Sequence, residues 1–236
     1  MLTHPTDPSR VLVERSDLDP LALPAQLRRY EIHLRAIFDW GQGYLSSPHP
    51  ELGRAGNVCP FAQPSLLQGR FFLAVQPGTP TEGPQLAATL RFYRNWFLDL
   101  APRRLPAAKL TTILLLFPDA PHDEVSRVVD AVQNALKSEY VDEGLMLGEF
   151  HNGPPPKGGL WNAAFRPLRS PVPMLVVRHM VPTDYPFLRD DTEQTRAYLR
   201  LFGDQIPGPL REQVENDRLA LELTEPCADQ AGIGAP

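Results

Sequence analysis

The chain has 236 residues, 42 % of them apolar and 22 % charged, with a net charge of −5, values that fit a soluble globular protein with one sizeable domain. The acidic balance argues against nucleic acid as a partner, because duplex binding relies on lysine and arginine to neutralise phosphates. The longest apolar run, Ile113 to Phe117, is strand-sized and excludes a membrane span, and two widely separated cysteines, Cys59 and Cys227, supply no disulfide framework.

The opening MLTHPTDPSR lacks the charged-then-apolar order of a signal peptide, so the expected location is cytoplasmic. Residues 1–24 show no sustained periodicity and are expected to form a mobile N-terminal segment. A single α/β domain is expected over 25–224, followed by a disordered tail, 225–236. A helix starts at Ala25, where Leu27, Tyr30, Leu34, Ile37, Phe38 and Gly41 share one face. Arg70 to Val75 reads as a short buried strand. Leu86, Leu90, Tyr93, Phe97 and Leu100 mark a second helix, stopped by Pro102. Lys109 to Phe117 is a strand block, and a third helix runs from Asp123 to Glu143 with Gly144 at its C-terminal cap. Two strands follow at 145–151 and 173–180, separated by a loop of some twenty residues rich in proline and glycine. "DDTEQTRAYLRLFG" is a fourth helix, capped by Asp191 with Gln194 three residues on.

The order is one helix, then β-α-β-α-β-β-α. That favours a right-handed parallel crossover and a final hairpin, in an α/β or α+β sandwich with a single sheet. Thioredoxin-like and ferredoxin-like sheets both fit it.

Three places could carry chemistry. Cys59 is followed by Pro60, which removes one competing N–H and stiffens the loop, so its thiolate could ligate a soft metal or haem iron. The structural alternative is a buried, inert cysteine that anchors the loop. Glu149 and His151 alternate to one side of their strand, opposite Phe150, beside the long loop, and could line a ligand cleft. They could equally belong to a solvated face. Arg178 and His179 point to opposite faces of the last strand, and Arg178 could pair with Glu149 across the hairpin. Arg166 and Arg169, in "FRPLRSPVP", could grip a carboxylate or a haem propionate through bidentate forks, or simply sit on the surface.

The chain has no phosphate-binding glycine loop, no Cys-x-x-Cys, no His-x-x-x-His and no Gly-x-Ser-x-Gly. A zinc site from Cys59, His151 and His179 is possible in ligand type but has no ligand-like spacing. A thioredoxin activity would need its cysteine after the first strand, and Cys59 precedes it.

The strings "HPELGRAGNVCPF", "GLMLGEFHNG" and "FRPLRSPVPMLVVRHMVPTDYPFL" resemble a bacterial, actinobacterial family of domains of unknown function. That family is distantly similar to the YqcI/YcgG group, some of whose members are haem-dependent N-hydroxylases of guanidino compounds. The resemblance covers roughly residues 30 to 190. It implies a haem-dependent oxidoreductase, a monooxygenase of natural-product biosynthesis acting on a small nitrogenous metabolite such as an amino acid. Under it His151 is the first candidate for the iron ligand, His179 the second and Cys59 the third. Arg166, Arg169 and Arg178 would contact the cofactor, and Glu149 would orient the imidazole or a substrate guanidinium. The Cys59 loop would close over the end of the sheet that carries His151. Two other classes stay open: a non-catalytic binding or accessory protein, and a haem-free enzyme using the Cys59 thiol. A homodimer is compatible with each.

Overall fold

Val13 exchanges both backbone hydrogen bonds with Leu73, at 2.8 and 2.9 Å, and this pairing fastens the start of the chain to its central sheet. The computed structural model describes residues 1–19, 23–80, 83–156 and 162–224. Two compact units result, Met1–Val181 and Pro182–Pro236, where periodicity predicts a single domain over 25–224.

The first unit opens with two short strands, β1 (Leu2–Thr3) and β2 (Val11–Leu12), paired antiparallel. Val11, Leu12 and Val13 are buried, so residues expected to stand apart from the domain supply part of its core. Three apolar residues in a row are too few to show a period, which is why the sequence hides them. The helix expected from Ala25 is two pieces, α1 (Ala25–Arg28) and α2 (Glu31–Trp40), broken where Tyr30 adopts φ −100° and ψ 2°. The apolar face survives the break: Leu27, Tyr30, Leu34, Ile37 and Phe38 are all buried. A short helix, α3 (Ala62–Leu67), follows the Cys59 loop.

The remaining elements follow the expected order. They are β3 (Phe71–Val75), α4 (Gly83–Leu100), β4 (Thr112–Leu116), α5 (His122–Asp142), β5 (Leu145–Phe150) and β6 (Met174–His179). β4 starts later than expected because Ala108–Leu110 form a 3-10 turn. Gly144, at φ 72°, ends α5 in the left-handed conformation that favours glycine.

The four main strands make one mixed sheet in the order β3-β4-β6-β5. β3 and β4 are parallel, and β6 is antiparallel to both of its neighbours, so β3, β4 and β5 all run the same way. The β5–β6 hairpin is the expected one. This strand order defines the sheet without attaching either fold-family name to it.

Alternation along the strands builds two cores. Phe72, Ala74, Ile113, Leu115, Leu145, Leu147, Leu175 and Val177 face α4 and α5. Phe71, Leu73, Leu114, Leu116 and Met174 face the opposite way, toward α2 and the N-terminal segment. Strands buried on both faces need cover on both, and each fully buried Leu, Ile or Phe contributes about 1.5–3 kcal/mol.

The second unit holds a 3-10 segment, Pro182–Phe187, then α6 (Thr192–Phe202) and α7 (Arg211–Thr224). Asp191 caps α6 as its sequence predicts, with Oδ1 accepting from the Gln194 amide at 2.9 Å. Tyr185, Tyr198 and Phe202 pack ring against ring, and the Tyr185 hydroxyl donates to Asp217 at 2.6 Å. No helix among the described residues is long and apolar enough to cross a membrane. The expected disorder of 225–236 lies outside the described residues.

Candidate functional site

In a sheet whose parallel strands share a direction, their carboxyl ends open onto the loops that bind ligands. The carboxyl end of β5 meets the segment entering β6 there, and a cleft of about 490 Å³ lies beside them. One wall comes from the end of α2 and the chain after it: Trp40, Tyr44, His49 and Glu51. The other comes from Asn152 and residues between Ala164 and Pro171.

The first wall depends on a local irregularity. Gly41–Leu45 is wound as a π-turn, and Trp40 and Tyr44 stack at 5.8 Å with an interplanar angle of 25°. Such turns are frequent at functional sites. Glycine at 41 allows the turn to approach the sheet, since a Cβ there would come within 3.3 Å of the Phe71 ring. His49 lies between Tyr44 and Phe165, its ring 4.7 Å from the latter. The two walls are tied together. Trp40 Nε1 donates to the Arg169 carbonyl at 3.1 Å, the Tyr44 hydroxyl to the Pro167 carbonyl at 3.3 Å, and Asn162 Nδ2 to the Glu51 carbonyl at 2.8 Å.

Arg166 and Arg169 both line this cleft. Arg166 Nη1 donates to the carbonyls of Ala163 and Phe165, at 2.9 and 3.1 Å. Among the described residues the Arg169 guanidinium donates only through Nε, to the Asn152 carbonyl at 3.1 Å, which leaves its Nη groups for a ligand. Neither is in any ion pair between described residues. Glu51 is exposed on the facing wall. Burial pushes the Tyr44 hydroxyl above the usual tyrosine range; Arg169 opposes that shift and Glu51 adds to it. Both charges are therefore felt at one point in the cleft.

The other residues expected to form a haem or metal site, Glu149, His151, His179, Cys59 and Arg178, are not among those lining this cleft. Glu149 and His151 do share a face, but it is the face beneath α5, and they are 1 % and 2 % exposed. His151 Nε2 meets Asp130 Oδ1 at 2.9 Å, and Nδ1 accepts from the Gly153 amide at 3.2 Å, so both ring nitrogens are engaged. Cys59 is partly buried and packs on the opposite face, its amide donating to the Leu45 carbonyl at 2.8 Å. The sheet lies between Cys59 and His151. That corrects the expectation of a shared cavity.

His179 pairs with Leu145, at the far end of the hairpin from His151, as antiparallel strands require. Burial lowers its basicity; Nε2 meets the Ala101 carbonyl at 2.6 Å and the ring stands edge-on to Phe97. Arg178 and Glu149 cannot pair across the hairpin. Arg178 registers with Met146 and Glu149 with Leu175, and the two point to opposite faces. Among the described residues no group of three or more His, Cys, Asp or Glu side chains is placed to hold a metal ion.

A family described as a domain of unknown function, DUF6875, matches residues 34–213. The chain belongs to that family. The DUF6875 match takes in the whole cleft, from Trp40 to Pro171, and also Asp130 and His151. Searches of curated proteins and of solved structures find no match. Sequence reasoning found Arg166 and Arg169 but missed Trp40, Tyr44, His49 and Glu51. The available signal was Gly41-Gln42-Gly43, two glycines interrupting an apolar helical face.

Proposed function

We propose that this protein binds a small nitrogenous metabolite of amino-acid type in the cleft between Trp40 and Arg169. The observation that carries the reading is the pair Arg166 and Arg169, lining an aromatic-walled cleft and without a carboxylate partner among the described residues. A guanidinium with free Nη groups suits a carboxylate, held through two parallel hydrogen bonds. The rings of Trp40, Tyr44 and Phe165, with Glu51 on the same side as the first two, suit a cationic nitrogen.

Haem-dependent hydroxylation of such a metabolite is the activity that the family resemblance implies. The histidines assigned to it do not fit iron. His151 is buried with both nitrogens engaged, and His179 is buried against Phe97 at the other end of the hairpin. The reading therefore stands at binding, catalytic or accessory, with no step taken through haem.

Calorimetric titration tests it with L-arginine, agmatine, which lacks the carboxylate, and 5-guanidinovalerate, which lacks the α-amine. L-arginine should bind with a Kd below about 1 mM and each truncated compound more weakly. Absence of saturable binding by all three would overturn the reading.

A further inference from the structure

Residues 151 to 153 connect the two faces of the sheet at the end of β5. His151 turns under α5, whereas Asn152 is in the wall of the cleft. The Gly153 amide donates to His151 Nδ1, so the ring proton sits on Nε2 and is donated to Asp130 Oδ1. The backbone on either side of that ring holds the arginine segment. The His151 carbonyl accepts from the Ser170 amide at 3.1 Å, and the Asn152 carbonyl accepts from Arg169 Nε at 3.1 Å. On the other side, Trp40 Nε1 grips the Arg169 carbonyl.

We propose that Asp130 and His151 are positioning residues that act through the 151–153 backbone to hold the Arg169 guanidinium in the cleft. The inference rests on the reading of that cleft as the ligand site. Asp130 fixes the imidazole through Nε2, and the imidazole fixes the turn through Nδ1. The turn in turn presents the Asn152 carbonyl at the place where Arg169 Nε meets it. Arginine loses much side-chain freedom when it binds a ligand, and an arginine already ordered by one N–H has less left to lose. A pair outside the cleft, the buried His151 and the partly exposed Asp130, thus preorganises a group inside it.

The test is a double-mutant cycle on the full chain with L-arginine as the probe, read by calorimetry. Asp130→Ala should weaken binding about three- to tenfold, the loss expected when one rotamer-rich side chain must be ordered afresh. In the Arg169→Gln background the same change should have no further effect, because the group it positions is gone. Independent, additive losses would overturn the proposal. A second readout needs no ligand. In ¹⁵N spectra, the Arg169 Nε–H and Trp40 indole N–H resonances should both move in Asp130→Ala and return toward their original positions in Asp130→Asn, which keeps an acceptor at the same point. Unmoved resonances would sink the positioning role. If the wild-type protein ignores L-arginine, the ligand reading fails, and these resonances alone decide whether Asp130 acts on Arg169.

Discussion

Asp130 Oδ1 and His151 Nε2 stand 2.9 Å apart beneath α5, on the far face of the sheet from Trp40 and Tyr44. With the second ring nitrogen taken by Gly153, His151 has no lone pair to offer a metal. Ferric haem added to the wild-type protein and to His151→Asn should therefore give the same Soret spectrum at every ratio. A band present in the first and missing in the second would restore His151 as an iron ligand.

The N-terminal segment is a structural part of the first unit. Val11, Leu12 and Val13 are buried, and full burial of each side chain contributes about 1.5–3 kcal/mol. Val13 also pairs with Leu73 through two backbone hydrogen bonds. Deleting residues 1–13 should lower the denaturation midpoint in urea sharply, or prevent folding. A midpoint within error of the full chain would show that these contacts add nothing.

What the sequence revealed, and what it hid, follows from the range over which each signal acts. Helix α4 is legible because Leu86, Leu90, Tyr93 and Phe97 repeat at helical spacing within an eighteen-residue helix, enough to average out exceptions. The strand Phe71–Val75 is legible because it is a dense apolar run bounded by turn residues. The face shared by Glu149 and His151 was also legible, since alternation along a strand is strict. What alternation cannot say is which of two buried faces it points to. That choice, set by α5 packing on one side and α2 on the other, separated His151 from the cleft. The cleft itself was hidden because its walls are 111 to 129 residues apart in sequence and meet through backbone carbonyls, as in Trp40 Nε1 to Arg169.

Tyr30 and Asp119 give the fold an acid-sensitive tie. The Tyr30 hydroxyl donates to Asp119 Oδ2 at 2.5 Å and the Gly78 amide donates to the same oxygen at 2.8 Å; the first bond, then the second, hold the carboxyl below its ordinary value of 3.8. A carboxyl with a lowered folded pKa stabilises fully above its ordinary value and stops doing so as pH falls through the lower one. Tyr30→Phe should cost about 1 kcal/mol at pH 7, a figure kept modest because Asp119 is partly solvated. The difference between wild type and variant should shrink below about pH 4, as the carboxylate protonates. Urea denaturation at neutral pH and at acid pH measures it; a difference that grows with acidity would contradict the assignment.

The last prediction separates the two ends of the ligand. Among the described residues the Arg169 guanidinium uses only Nε, whereas Arg166 already spends Nη1 on two carbonyls. Arg169→Gln should therefore weaken a carboxylate ligand more than Arg166→Gln does, by about tenfold for one lost charge-assisted pair. Arg169→Lys should not restore the loss, since an ammonium cannot reproduce the planar two-point grip. Glu51 faces the same space from the wall of Trp40 and Tyr44, so Glu51→Gln should weaken agmatine and leave a plain carboxylate such as 5-phenylvalerate unaffected. The pattern must cross: the arginine variant loses the acid and keeps the amine, and the glutamate variant does the reverse. Equal losses for both probes in both variants would mean that the substitutions disturb the cleft as a whole, and the assignment of its two ends would fall.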